Sequence, residues 1–176
     1  DVAVITAPHP AHASLALACL DAGVDVLLEK PVAVTVGEAD AIVERAEETG
    51  RVVAVAFQHR LRREVIRAKE LVDAGGIGEL HRAEVVSYYP KRSVYYAGSD
   101  WRGTWTGEGG GVVLNQGQHD LDLLTYLSGQ PDEVFAWLST RVHPTETEDT
   151  AEAVVRWRSG ATGSIHISSA ASAGPQ

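Results

Sequence analysis

The sequence predicts an α/β fold, a partial parallel sheet over residues 1–60, followed by an α+β sheet domain over 61–176. Two observations carry this. Up to Arg60, short β-branched runs alternate with helical patterns, as βαβ units do. Beyond it that alternation stops, and strand runs with segregated helices take over.

Val2 to Thr6 reads as a buried strand, and Pro10 suits a first helical position before the Ala- and Leu-rich stretch from Ala11 to Ala22, which Gly23 ends. Val24 to Glu29 is the next strand. Thr35 with Glu38 forms a capping box, and Ala39, Ile42, Val43 and Ala46 follow the i, i+3, i+4, i+7 spacing of one helical face until Gly50. Val52 to Phe57 returns as a third strand. A charged helix is expected from Arg62 to Ala74, stopped by Gly75-Gly76, with a long strand from Leu80 to Tyr89. An irregular aromatic segment then leads to a helix from Leu114 to Leu127 and strands over 132–142, 149–158 and 161–168. No repeat is visible, and only the Ser/Ala-rich end hints at low complexity.

The 176 residues, 44% hydrophobic, are enough to bury a core. The sequence starts at Asp1, contains no methionine and stops just after a strand-like run, so it reads as an internal piece. The net charge of −9 is spread along the chain without a basic, aromatic-interleaved stripe, which argues against nucleic acid. No apolar run approaches the roughly 20 residues that span a bilayer, and no signal core is present, so a membrane role is not expected and a cytoplasmic location is. The single Cys19, between Ala18 and Leu20, reads as core packing in a reducing compartment.

Glu29-Lys30-Pro31 falls at the carboxyl end of a predicted parallel strand, where open α/β sheets place ligands. Pro31 favours an extended backbone at Lys30. Lysine is scarce, and an ammonium able to shift its pKa stands where arginine is the default. Taken alone, the tripeptide equally fits an exposed lysine paired with Glu29. The predicted helix after Gly109-Gly-Gly111 brings Asn115, His119 and Asp122 into one narrow arc, with Tyr126 beside them and leucines around. Such polar groups either satisfy one another, as His119 with Asp122 would, or face a ligand. His119 with Asp122, and His9 with His12, have metal-compatible spacing, but the pairs fall in different predicted domains and no metal is assigned. The loop Thr6-Ala7-Pro8-His9-Pro10-Ala11-His12 either offers backbone amides to a phosphate or ribose or only shapes a turn. Gln58-His59-Arg60 and Trp101-Arg102 are weaker signals, most such neighbours being packing plus a surface charge.

Taken together, Ala7-Pro8 with His12, Glu29-Lys30-Pro31, Trp101-Arg102, Gly109-Gly-Gly with Asn115-x-Gly117-x-His119-x-x-Asp122, and Glu148-Asp149-Thr150 resemble the Gfo/Idh/MocA oxidoreductases over nearly the whole chain. The resemblance implies part of a Rossmann domain binding NAD or NADP, then an open mixed sheet that supports homo-dimers or homo-tetramers. It implies a sugar, inositol or related polyol as substrate, with Lys30 orienting the hydroxyl and His119 as general acid/base. Asn115 and Asp122 would join them in holding substrate. Thr6, Ala7, Pro8, His9, His12, Glu29, Lys30, Trp101 and Arg102 would line the cofactor. Three positions depart from the family's usual pattern: Asn115 where aspartate is frequent, and His9 and His59 where asparagine is common. An amide holds a hydroxyl but cannot take its proton, which shifts that task to His119. The Gly-x-Gly-x-x-Gly turn lies outside this sequence, so this piece alone is expected to bind dinucleotide weakly and to be inactive. The alternative reading is a non-catalytic dinucleotide- or sugar-binding sensor of the same fold.

Overall fold

The computed structural model describes residues 1–170; the last residues of the Ser/Ala-rich end, and of the predicted second domain, lie outside the described residues. Its first sheet is parallel, in the order β1 (Val2–Ile5), β2 (Asp25–Leu28), β3 (Val53–Val55). Helices α1 (His12–Asp21) and α2 (Val36–Thr49) make the crossovers and pack on each other. The capping box forms as the sequence predicts: the Thr35 side chain accepts from Glu38 N, and the Glu38 side chain accepts from Thr35 N. Gly50 closes α2 at φ 64°, a left-handed conformation that glycine adopts without strain.

Period-2 alternation places Ile5, Val26 and Leu28 against the core with Ala16, Leu20 and Ile42. On the other sheet face Val2 and Val4 are each 65% exposed, so β1 is covered on one side only, contrary to the buried strand expected from its apolar run. On α2, Ile42 is buried and Ala39 and Ala46 pack beside it, whereas Val43 faces solvent.

A 3-10 turn (Gln58–Leu61) leads into α3 (Arg63–Asp73) and then β4 (Arg82–Tyr88). The aromatic segment contains one short helix, α4 (Ser93–Ala97). After α5 (Gln118–Ser128) come β5 (Glu133–Ser139), β6 (Thr150–Arg156) and β7 (Thr162–Ser168). These make a mixed sheet in the order β4-β7-β6-β5, with β4 parallel to β7 and the other pairs antiparallel. Leu124 on α5 packs with Val155, Ile165 and Ile167 on one face of this sheet, while the opposite face is open. No helix among the described residues is long and apolar enough to cross a membrane.

The helix expected from Leu114 begins four residues later, at Gln118. The reason is a contact distant in sequence. The amides of Gly111 and Val113 bind the Glu148 carboxylate, that of Val112 binds the Glu148 carbonyl, and Gly117 N reaches Val112 O, so residues 112–117 form turns. A Cβ at Gly111 would collide with the Glu148 carbonyl. Asn115 therefore sits in a turn ahead of α5, and the single helical stripe of Asn115, His119 and Asp122 does not form.

Candidate active site

Parallel strands point their carboxyl ends to one edge, and three loops gather there: Thr6 to His9 after β1, Glu29 to Pro31 after β2, and Ala56 to Arg60 after β3. Each is hydrogen-bonded to α5 or to the segment that leads into it. His9 Nδ1–H donates to the Glu108 carbonyl at 2.9 Å, Lys30 Nζ donates to the Asn115 carbonyl at 2.7 Å, and Arg60 donates through Nε to both oxygens of Asp122, at 3.1 and 2.8 Å.

Lys30 is the centre of this junction, and its peptide bond to Pro31 is cis. Beyond the bond to the Asn115 carbonyl, Nζ donates to Asn115 Oδ1 at 3.2 Å. An ammonium has three N–H donors, so one remains for a ligand. Burial lowers the Lys30 pKa, opposed by the carboxylates of Glu29 and Glu108. Glu29 accepts the Lys30 backbone N–H at 3.2 Å, so it acts on the turn as well as the charge.

His119 lies in the first turn of α5, stacked on His59 at 4.2 Å between ring centroids and edge-on to Phe57 at 6.2 Å. Burial lowers its pKa, and the nearby His59 and Lys30 lower it further. Its Nδ1 is enclosed without a hydrogen-bond partner among the described residues. The His119–Asp122 bond allowed by their spacing is not made.

Asp122 is committed elsewhere. Its nearly enclosed carboxylate pairs with Arg60, whose guanidinium also covers the Tyr126 ring at 4.7 Å and Phe57 at 5.6 Å. This departs from a substrate-facing Asp122. His12 likewise departs from a cofactor contact: it is fully buried, with Nδ1 on Pro31 O at 2.7 Å and Nε2 on Ala7 O at 2.8 Å, tying the first loop to the second. Thr6 and Pro8 are exposed and Ala7 half-buried along the same loop. Of the predicted set, Lys30 is bonded to Asn115 and lies near His119, and His9 is linked to Asn115 through Glu108.

Trp101 is partly exposed, and Arg102 stacks between Tyr95, at 4.4 Å, and Trp101, at 4.8 Å. Arg102 Nε is buried without a partner among the described residues. An unmatched buried guanidinium donor is open to an anionic or carbonyl oxygen. No group of three His, Cys, Asp or Glu side chains among the described residues is arranged to hold a metal.

Sequence reasoning missed Glu108. It is 3% exposed, its Oε2 accepts Gly103 N at 2.7 Å, and its Oε1 accepts from Asn115 Nδ2. The available signal was a lone carboxylate inside Gly107-Glu-Gly-Gly-Gly111, since a charge in a glycine run has no side-chain neighbours to explain it.

Residues 1–57 match the oxidoreductase family with an NAD-binding Rossmann fold, and residues 65–176 match the GFO/IDH/MocA C-terminal domain. The chain is 31% identical over 173 residues to 1-carboxy-3-chloro-3,4-dihydroxycyclo hexa-1,5-diene dehydrogenase of Comamonas testosteroni, covering 96% of this chain and 42% of that protein. It is 27% identical over 170 residues to myo-inositol 2-dehydrogenase of Thermotoga maritima, covering 94% and 48%. The WlbA dehydrogenase of Bordetella pertussis, solved with NADH and UDP-GlcNAcA, superposes with a TM-score of 0.94 at 31% identity, over 98% of this chain and 50% of that one. The chain thus spans about half the length of the relatives it matches. With a parallel sheet matching the NAD-binding part and a mixed sheet matching the C-terminal part, the chain belongs to the GFO/IDH/MocA oxidoreductase family.

Proposed function

We propose that the complete protein is an NAD(P)-dependent dehydrogenase acting on a hydroxyl-bearing carbon of a sugar, inositol or related polyol. The observation that carries this reading is the junction itself: Lys30, tethered by Asn115 with one N–H to spare, beside a His119 whose pKa is lowered. Lys30 Nζ donates to the substrate hydroxyl oxygen and favours loss of its proton. His119, neutral at pH 7 because burial disfavours its charged form, accepts that proton at Nε2. Asn115 holds Lys30 in place. When bound, the nicotinamide dinucleotide supplies the hydride acceptor or donor. Arg102, Trp101, Glu29, Thr6, Ala7, Pro8 and His9 form the walls that would hold it.

The same reading sets the boundary between the nucleotide and substrate domains near residue 60 and places the protein in the cytoplasm. It includes homo-dimers or homo-tetramers, formed through the open face of the mixed sheet. Supporting this, Tyr88, Phe135, Trp137 and Val154 are each more than half exposed on that face.

The test is a panel of sugars and polyols offered to the complete protein with NAD or NADP, following nicotinamide absorbance, for wild type, Lys30→Ala and His119→Ala. Turnover by wild type and its loss in both variants is expected. Undiminished rates in both variants would refute the assignment, and sugar binding without turnover by wild type would favour a sensor.

A further inference from the structure

Asn115 stands between two groups of fixed hydrogen-bond polarity. On one side the Glu108 carboxylate, enclosed and already accepting Gly103 N–H, takes the Asn115 Nδ2–H. On the other, Lys30 Nζ donates to Asn115 Oδ1 and to the Asn115 carbonyl. We propose that Glu108 is a positioning residue, which fixes the orientation of the Asn115 amide and through it the place of the Lys30 ammonium. The inference rests on Lys30 acting in proton transfer, but its geometry can be tested apart from that.

A carboxylate only accepts and an ammonium only donates, so one of the two amide orientations serves both neighbours. The reversed amide would set Nδ2–H against Nζ–H and oxygen against oxygen. An unmatched polar atom in a buried site loses its full desolvation energy. Glu108 therefore acts at a distance: it touches neither the third Lys30 N–H nor His119, yet it determines which end of Asn115 Lys30 meets. Its charge also favours the protonated form of Lys30, against the burial that disfavours it.

The polarity of this chain gives a diagnostic set of variants. In Glu108→Gln, if the Gln oxygen keeps Gly103 N–H, its amide donor meets either the Asn115 donor or, once Asn115 turns over, passes the mismatch to Lys30. In Asn115→Asp, two carboxylate oxygens face each other. Combining the two restores every bond with its direction reversed between 108 and 115: the Gln oxygen takes Gly103 N–H, its amide donates to the Asp, and the other Asp oxygen takes Lys30.

The experiment uses the complete protein in wild-type, Glu108→Gln, Asn115→Asp and doubly substituted forms. Two readouts are taken: kcat/KM against pH, and the pH dependence of Lys30 acetylation by competitive labelling and mass spectrometry. Each single substitution is expected to lower kcat/KM about tenfold or more. The double is expected to return to within about threefold of wild type, because coupled neighbours are non-additive. Lys30 labelling should move to lower pH in Glu108→Gln and return in the double. A double variant that is no better than the worse single in both readouts overturns the proposal. If the wild type turns over no sugar or polyol, the functional reading fails while labelling still decides the positioning role. If Asn115→Asp does not fold, the cycle is run with Asn115→Ala: Glu108→Gln should then cost about twofold or less, and a full tenfold loss overturns the idea.

Discussion

Replacing Arg60 by Ala should destabilise the protein more than replacing Asp122 by Ala, although the two side chains share one ion pair. The difference follows from where each side chain lies: the Asp122 side chain is 5% exposed and that of Arg60 42%. Without Arg60, a nearly enclosed carboxylate loses its partner, at a cost of about 3–5 kcal/mol for breaking a buried pair from one side. Loss of the guanidinium from the Tyr126 and Phe57 rings adds about 0.5–1 kcal/mol. Without Asp122, Arg60 turns its already half-wet head toward water. The charged hydrogen bonds then lost are worth about 1–2 kcal/mol after discounting for solvent screening. The gap of about 3 kcal/mol is roughly a 150-fold difference in the folding equilibrium. Urea unfolding of the complete protein measures it as a difference in midpoint at constant m. Asp122→Ala costing as much as Arg60→Ala would refute the reasoning. An Asp122→Ala variant with a wild-type midpoint but no turnover would return Asp122 to the substrate.

Glu148→Gln should lower kcat/KM about tenfold, because Oε1 can still accept from Gly111 and Val113 but the amide nitrogen replacing Oε2 turns a donor toward the Gly111 N–H and the charge that strengthens these bonds is lost; wild-type kinetics would remove Glu148 from the support of the Asn115 turn. The acid limb of the pH–rate profile should have its midpoint below 6.5, because burial, then His59 and Lys30, lower the His119 pKa from that value. In stability the sign is the same: below 6.5 the unfolded ring binds more protons than the folded one, so this site costs stability as pH falls toward the folded pKa. A limb that persists unchanged in His119→Ala would reassign it. Trp137→Glu, on the open sheet face, should shift the complete protein to a smaller species in sedimentation without unfolding it, and an unchanged mass would exclude that face from assembly.

Much of the fold was legible because its signals are local. The Thr35/Glu38 box, the Gly50 stop and the switch from βαβ alternation to successive strands each depend on residues near in sequence, and each appears in the structure. The misreadings share a cause in long-range contacts. Helical spacing drew Asn115 into α5, but the carboxylate and carbonyl of Glu148, 33 residues further on, bind the amides of residues 111–113 and hold the chain up to Gly117 in turns. Spacing also offered Asp122 to His119, whereas Arg60 from the preceding unit took both carboxylate oxygens. Lys30 was placed at a strand tip from sequence, but the identity of its partner was not: nothing at positions 29–31 points to residue 115. Exposure of Val2 and Val4 was equally invisible, since an apolar strand reads the same whether one face or both are covered.

The site's chemistry depends on contact between the two sheet units more than on either one. Each loop at the edge of the parallel sheet is held by a bond to the segment around α5, through His9, Lys30 and Arg60. The separation of Lys30 from His119 is therefore set by how the units dock. Docking also sets the electrostatics: it buries Lys30 enough to weaken its hold on a proton, while bringing Glu108 near enough to oppose that loss. A guanidinium at position 30 could not be poised this way, because arginine does not titrate in proteins. Scarce lysine at a strand tip, a buried carboxylate in a glycine run and the chain's single asparagine thus become parts of one device, whose members come from different units and act only when those units meet.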